Sequence, residues 1–348
     1  MLASKDKATY HGSAFTYPML TSIKLKNFRG FAELEIPKFS RVNLIGGVNN
    51  AGKTGLLEAI FLLLERNAQK ISNGLPNLFR AQSGVNDERY FWRWLAHNGE
   101  KDSSIEIGGE VIPYGYANNF WDPAGLRTQR GGTQIMGMAG RTMTVANLNG
   151  DALKSWPHPE VFSPRPSPPI EDAQVFIKAA KKTKAGKDGE ERMESLLREI
   201  EPRLKRVRAY PDEQTNQPLV HVGLQGIEDA LPASQLGQGF NRLLRIYSAM
   251  LSAEAKVFLI DEVETGLHHS VLPTIWKGLA AVAREEGVQI FATTHSREAI
   301  LAAHRVFSKE PDYDFAYHRL ERTDGKISVV TYDQETLAGA DEANFEVR

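Results

Sequence analysis

No cysteine occurs anywhere in the 348 residues. Disulfides, thiolate zinc centres and cysteine nucleophiles are therefore excluded together, and the absence fits a reducing compartment. Long apolar runs are missing too. The longest plain one, Ala59–Leu64, falls far short of the roughly 20 residues that cross a bilayer. The opening Met1–Pro18 is polar and has no apolar signal core. The expectation is a soluble, cytoplasmic chain with no membrane partner. Neither sign of charge prevails: 42 Lys and Arg stand against 43 Asp and Glu, a formal net charge of −1, so the global balance does not draw the chain to nucleic acid. Internal repeats and sustained heptads are also lacking.

What is present is ordinary globular composition, 41% hydrophobic and 24% charged, in a length that suits one large domain or two modest ones. Ile23 and Leu25, then Leu34 and Ile36, alternate with polar residues about a turn at Asn27-Phe28-Arg29-Gly30. That is strand patterning. Val42–Ile45 is a short strand entering a glycine loop, and a helix is expected from about Gly52, with Leu56, Ile60, Leu63 and Leu64 on one face. Ser104–Ile112 reads as a strand pair. From Pro113 to Pro169 glycine, asparagine, threonine and proline dominate, which is loop chemistry, partly extended. Over Glu190–Arg208 the residues Met193, Leu196, Leu197, Ile200, Leu204 and Val207 fall on one helical face, interrupted at Pro202. Asn241–Leu251 is a further helix. Val257–Ile260 and Val288–Thr293 have the unbroken apolar character of buried parallel strands. Phe315–Tyr332 folds as a hairpin across Thr323-Asp324-Gly325-Lys326.

Several of these segments carry chemistry. Gly47-Val48-Asn49-Asn50-Ala51-Gly52-Lys53-Thr54 matches the eight-position phosphate loop, after a strand and opening a helix as it must. Glycines let backbone N–H groups wrap phosphates, and the helix N-terminus adds partial positive charge. Lys53 is expected on the β- and γ-phosphates of ATP, and the Thr54 hydroxyl on Mg²⁺. The apolar Val257–Ile260 ends in Asp261 and Glu262. Beside a phosphate loop, Asp261 would hold Mg²⁺ through water and Glu262 would polarise the attacking water.

Other segments read two ways. Leu236-Gly237-Gln238-Gly239-Phe240 is either a second nest of backbone donors or a glycine-rich turn. His295, after the second apolar strand, either meets a γ-phosphate or is structural. Gln82 is a candidate Mg²⁺-sensing glutamine within a segment that also reads as plain loop. Lys178–Arg208 contains eleven cations against six carboxylates, which suits either DNA phosphates or a solvated face.

The order of the motifs adds a resemblance. Phosphate loop, Leu236–Phe240, Leu259–Ser270 and Thr293–Ser296 follow one another as in an ABC ATPase. The chain resembles the overcoming-lysogenisation-defect (OLD) and RecF-like branch, found in bacterial defence and DNA-maintenance systems. Ile23–Phe31, Gly46–Thr54 and Tyr317–Ile327 are similar to that branch, and the likeness covers about residues 20–110 and 190–348. It implies that Leu236–Phe240 is the signature loop acting in trans on a partner's nucleotide. It also implies that Glu264–Leu267 crosses the dimer seam and that His295 is the switch histidine. Gly237 replaces the usual serine of that loop. Fifty-three residues follow His295, too few for the TOPRIM nuclease domain common in the branch, and Pro113–Asp188 holds no long heptad arms.

The fold expected is therefore α/β: a P-loop NTPase of the ABC-head type, a mainly parallel sheet flanked by helices, with an antiparallel β lobe. A polar tail (1–19) would precede a single head (20–348), interrupted at about 113–189 by a Gly/Pro-rich and basic insertion. The function expected is ATP hydrolysis with Mg²⁺ in a homodimer or higher homo-oligomer that controls a separate effector, such as a nuclease, in antiphage defence. The alternative is a DNA repair or recombination clamp that binds DNA directly through Lys178–Arg208.

Overall fold

The computed structural model describes residues 19–65, 103–107, 110–116, 132–137, 141–146, 158–184 and 186–347, the four short strands among them as backbone only. The polar tail before Met19 and Gln82 lie outside the described residues.

A six-stranded sheet forms the centre. Its strand order is Lys326–Tyr332, Phe315–Thr323, Val42–Gly47, Gln289–Thr293, Val257–Ile260 and Pro159–Phe162. All neighbours pair in parallel except the Lys326–Tyr332 edge, which pairs antiparallel with Phe315–Thr323 across the expected hairpin. Val42–Gly47, Val257–Ile260 and Gln289–Thr293 are buried at every position, as unbroken apolar runs between two covered faces require. The second six-stranded sheet is antiparallel, in the order Phe31–Ile36, Ile23–Phe28, Ser103–Ile107, Glu110–Tyr116, Arg141–Ala146, Gly132–Gly137. A third, of three strands, joins Leu204–Pro211, Pro218–Leu224 and Leu231–Pro232. Together they give an ABC-head architecture, mostly parallel at the centre with antiparallel lobes.

Two cores separate along the central sheet. On one face, helices Pro169–Ala180, Gly189–Arg198, Gln238–Ser252, Leu272–Glu286 and Arg297–Phe307 contribute to a cluster that includes Phe176, Met193, Tyr247, Trp276 and Phe307. On the other, helix Lys53–Leu64 lies among Leu25, Phe28 and Phe31 of the antiparallel lobe and Ile45, Leu259 and Phe291 of the central sheet. The sequence suggested one apolar face for this helix. Instead every residue but Thr54 is buried, because sheets cover it on two sides; an all-round apolar helix is what such a position selects.

Two other expectations need correcting. The helix expected over Glu190–Arg208 ends at Arg198, and Leu204–Pro211 is a strand. Its ladder is irregular between Leu204 and Arg206. An extra residue there lets Leu204 and Val207, three apart, both be buried, so a bulged strand imitates helical spacing. Second, the Pro113–Pro169 stretch is not all loop. Pro159–Phe162 is an edge strand of the central sheet, and Pro169–Ala180 is a helix packed through Ala173, Phe176 and Ala179. Proline at the first helical turn gives up an N–H that the helix would not use, so a Pro-rich approach suits a helix start.

Candidate active site at the carboxyl edge of the central sheet

Val42–Gly47, Gln289–Thr293 and Val257–Ile260 are adjacent and parallel, so their carboxyl ends open at one edge. Parallel sheets gather their ligand sites there. The phosphate loop leaves the first strand, Thr294 and His295 the second, Asp261 and Glu262 the third.

The phosphate loop ends at Gly52, whose φ of 97° starts helix Lys53–Leu64 with no side-chain cap. The first N–H groups of the helix thus have no intrahelical acceptor. A Cβ on Gly52 would come within 2.7 Å of the Phe31 ring, and one on Gly47 within 2.3 Å of the Leu320 carbonyl oxygen. Both positions therefore exclude side chains as well as requiring a positive φ. Arg29, at the turn of the β lobe, braces the helix by donating Nε to Glu58 Oε2 at 2.7 Å and Nη2 to Glu58 Oε1 at 3.2 Å. Lys53 is buried, and its Nζ donates to the carbonyl oxygens of Gly47 at 2.6 Å and Val48 at 2.9 Å. Burial pulls its ammonium down to about 8, against the opposing pull of Asp261, Glu262 and Glu264.

Thr54 Oγ1 lies 3.3 Å from Asp261 Oδ2. A hydroxyl and a carboxylate converging beside the uncapped amides of a helix start are hard oxygen donors of the kind that would suit Mg²⁺. Burial raises the Asp261 carboxyl above its ordinary range; the Thr293 and Thr54 hydroxyls and Arg242 pull it back, while Glu262 pushes it up. Thr293 Oγ1 donates to Asp261 Oδ1 at 2.5 Å and accepts the Glu262 N–H at 2.8 Å. Thr265 Oγ1 donates to Glu262 Oε2 at 3.0 Å, and His295 Nε2 stands 3.9 Å from Glu262 Oε1. The His295 backbone N–H donates to Glu264 Oε1 at 2.7 Å. Glu262 and His295 are 42% and 38% exposed, so both reach solvent, or a second molecule, at the open edge.

Lys53, Thr54, Asp261, Glu262 and His295 are thus brought together. Asn49 and Asn50 lie in the loop between Val48 and Ala51, which closes by an Ala51 N–H to Val48 O bond of 3.2 Å. Leu236–Phe240 is placed differently. The helix expected from Asn241 begins at Gln238, with Gly237 at φ 86° as its cap and no capping side chain. Gln238 is exposed, whereas Gly239 and Phe240 are buried. A cleft of about 420 Å³ opens beside this loop, its lining including Phe162, Arg165, Leu219, Gln238, Arg242 and Thr265. Sequence reasoning missed Thr293 and Arg242 as site residues, and it placed Thr265 only within the Glu264–Leu267 loop expected at a dimer seam. The first has a signal: if the two apolar strands run in register, the residue after each meets the other at the edge.

The basic stretch is largely neutralised by its own chain. Lys178 pairs with Glu254, Lys184 with Glu286, Arg192 with Glu285 and Glu286, Arg198 with Glu194, Arg203 with Glu201, and Arg208 with Glu190 and Glu194. Lys181, Lys182 and Lys187 are exposed. Among the described residues no helix is long and apolar enough to cross a membrane.

Comparison with known proteins agrees with this fold. Residues 19–112 match a family described as an AAA ATPase domain, and residues 146–302 one described as an AAA domain, putative AbiEii toxin, type IV TA system. An ATP/GTP phosphatase of Helicobacter pylori is 24% identical over 92% of this chain and 97% of its own length. The DNA replication and repair protein RecF of Bacillus mycoides is 43% identical over 54 residues, 16% of this chain and 14% of RecF. An SMC head bound to the C-terminal winged-helix domain of ScpA superposes with a TM-score of 0.55 at 13% identity, covering 92% of this chain and all of that one. A second, with an extended coiled coil and the C-terminal domain of ScpA derived from Pyrococcus furiosus, gives 0.53 at 11% identity, covering 93% and 99%. The chain has the fold of an SMC-like, ABC-type P-loop ATPase head.

Proposed function

We propose that this chain is an ATPase whose heads close in pairs around ATP and Mg²⁺, and that turnover controls a separate effector protein, such as a nuclease, in antiphage defence. The observation that carries the ATPase reading is the convergence of Lys53, Thr54, Asp261 and Glu262 at one sheet edge. Lys53 and the first amides of its helix bind the β- and γ-phosphates. Thr54 and Asp261 would hold Mg²⁺, which would supply positive charge against the phosphates. Glu262, oriented by Thr265, accepts a proton from the attacking water, and His295 senses the terminal phosphate beside it. The exposed, uncapped start of helix Gln238–Ser252 supplies amide donors to the nucleotide of a second copy. The defence role is supported by the toxin–antitoxin description of the matched family, and control of a partner by the ScpA domain bound to the SMC head.

Lys53→Ala is expected to abolish ATP turnover and weaken ATP binding. Glu262→Gln is expected to keep binding but to slow turnover by about a hundredfold, the scale of a lost general base. The Glu262→Gln protein should accumulate as an ATP-loaded pair of larger mass. Near-wild-type turnover in either variant would end the assignment. The local likeness to RecF favours direct DNA binding as the second reading. A steep fall of DNA affinity with salt, lessened by charge reversal at Lys181, Lys182 and Lys187, would select it.

A further inference from the structure

The peptide joining Asp261 to Glu262 is held at both ends. Its N–H, on Glu262, donates to Thr293 Oγ1 at 2.8 Å. Its carbonyl oxygen, on Asp261, accepts from Nη2 of Arg242. The next N–H, on Val263, donates to the Thr293 carbonyl oxygen at 2.9 Å. Between these anchors Glu262 adopts φ 51°, the left-handed region. For a residue other than glycine that conformation is strained and persists only where the surroundings over-determine it. Thr293 fixes the turn from the neighbouring strand. Arg242 fixes it from the opposite direction, out of helix Gln238–Ser252.

Arg242 is an expensive way to make one hydrogen bond. Its Nε and Nη1 are buried and have no hydrogen-bond partner. An apolar side chain would fill that space without leaving buried donors unsatisfied. The bond Arg242 does make lies on the peptide that aims the Glu262 side chain, one helical turn from Gln238 at the start of the same helix.

We propose that Arg242 is a positioning residue for Glu262: its bond to the Asp261 carbonyl sets the Asp261–Glu262 peptide plane, hence the direction of the Glu262 carboxylate, and ties that direction to the helix that starts at Gln238. The inference rests on the reading of Glu262 as the base that activates water. A carboxylate misdirected by a fraction of an ångström loses its line to the water, and misplacements of about 1 Å cost on the order of a hundredfold in rate.

The test is a double-mutant cycle. Arg242→Met keeps the length and loses the donor; Arg242→Lys keeps a donor. Each is measured alone and with Glu262→Gln, for kcat, KM, affinity for ATP and thermal unfolding. Arg242→Met is expected to lower kcat about tenfold or more with ATP affinity little changed, and Arg242→Lys to retain part of the rate. In the Glu262→Gln background Arg242→Met should add no further loss, because it acts through a group already removed. Wild-type kcat in Arg242→Met, or a full multiplicative loss on top of Glu262→Gln, would overturn the proposal. Should Arg242→Met fail to fold, Arg242→Lys carries the same cycle. Fast turnover in Glu262→Gln alone would instead remove the reading of Glu262 as base, so the two failures are separable.

Discussion

Gly239 packs on the carbonyl oxygen of Gly266: a Cβ added to Gly239 would come within 2.3 Å of that oxygen and 3.0 Å of Leu267 Cδ2. The start of helix Gln238–Ser252 is thereby seated on the loop that follows Glu262. A large side chain at Gly239 would break this contact inside one subunit before meeting any nucleotide, so a substitution there cannot isolate an effect in trans.

Gln238 is the better probe, being exposed at the uncapped helix start. Glutamate there suits the fold, since negative charge favours a helix N-terminus, but it repels an incoming phosphate. Gln238→Glu is expected to bind ATP as wild type does, with Lys53, Thr54 and Asp261 untouched, and to lose most turnover. Mixed with Lys53→Ala protein, it should regain activity, because one composite site of each heterodimer is then intact. ATP turnover by Gln238→Glu at the wild-type rate would remove Gln238 from the nucleotide's surroundings.

Lys53 gives a pH prediction. Burial lowers its ammonium to about 8, and only the protonated form attracts phosphates. Bound phosphates favour that form, so above pH 8 binding must take up a proton. ATP affinity should stay level between about pH 6.5 and 7.5, then weaken by up to about tenfold per unit above pH 8. A lysine at its ordinary value of 10.5 would hold affinity level to about pH 10. Titration with a fluorescent ATP analogue across this range distinguishes the two.

How much of this was legible depended on distance along the chain. The phosphate loop and Asp261-Glu262 are each a short contiguous run, the first between a strand and a helix and the second ending an apolar strand, so residue type and context appear together. Arg242 and Thr293 reach the same peptide from 19 and 31 residues away. Nothing local marks either: Arg242 follows a glycine-rich turn as one of many surface-like cations, and Thr293 acquires a role only through the register of two parallel strands. The bulge at Leu204 shows the converse, where a local pattern spoke clearly and for the wrong element. Burial of helix Lys53–Leu64 on all sides was likewise hidden, because nothing local to the helix says that the strands Ile23–Phe28 and Phe31–Ile36 pack over it.

His318 offers a measure of the core that does not depend on the proposed chemistry. It sits on the strand Phe315–Thr323, wholly buried, with Nδ1 2.9 Å from Thr331 Oγ1, Nε2 3.4 Å from Asn43 Oδ1 and the Phe39 ring edge-on at 5.5 Å. Asn43 Nδ2 donates to the Ser40 carbonyl oxygen at 2.7 Å, which leaves Asn43 Oδ1 to accept from His318 Nε2 and assigns the neutral tautomer protonated there. Burial lowers the His318 pKa from 6.5 to about 4. The folded state therefore keeps the ring neutral between pH 6.5 and 4, while the unfolded chain takes up a proton. Stability from this group is complete above pH 6.5 and is lost as pH falls, by about 1.4 kcal/mol per unit at most. His318→Gln keeps a donor and an acceptor but cannot titrate in this range. Denaturant unfolding of both proteins from pH 7 to pH 5 should show the wild type losing about 2 kcal/mol more than the variant. Curves that run parallel would mean that His318 ionises inside the fold as freely as outside it, and that the packing of Phe39, Asn43 and Thr331 around the ring is looser than these distances imply.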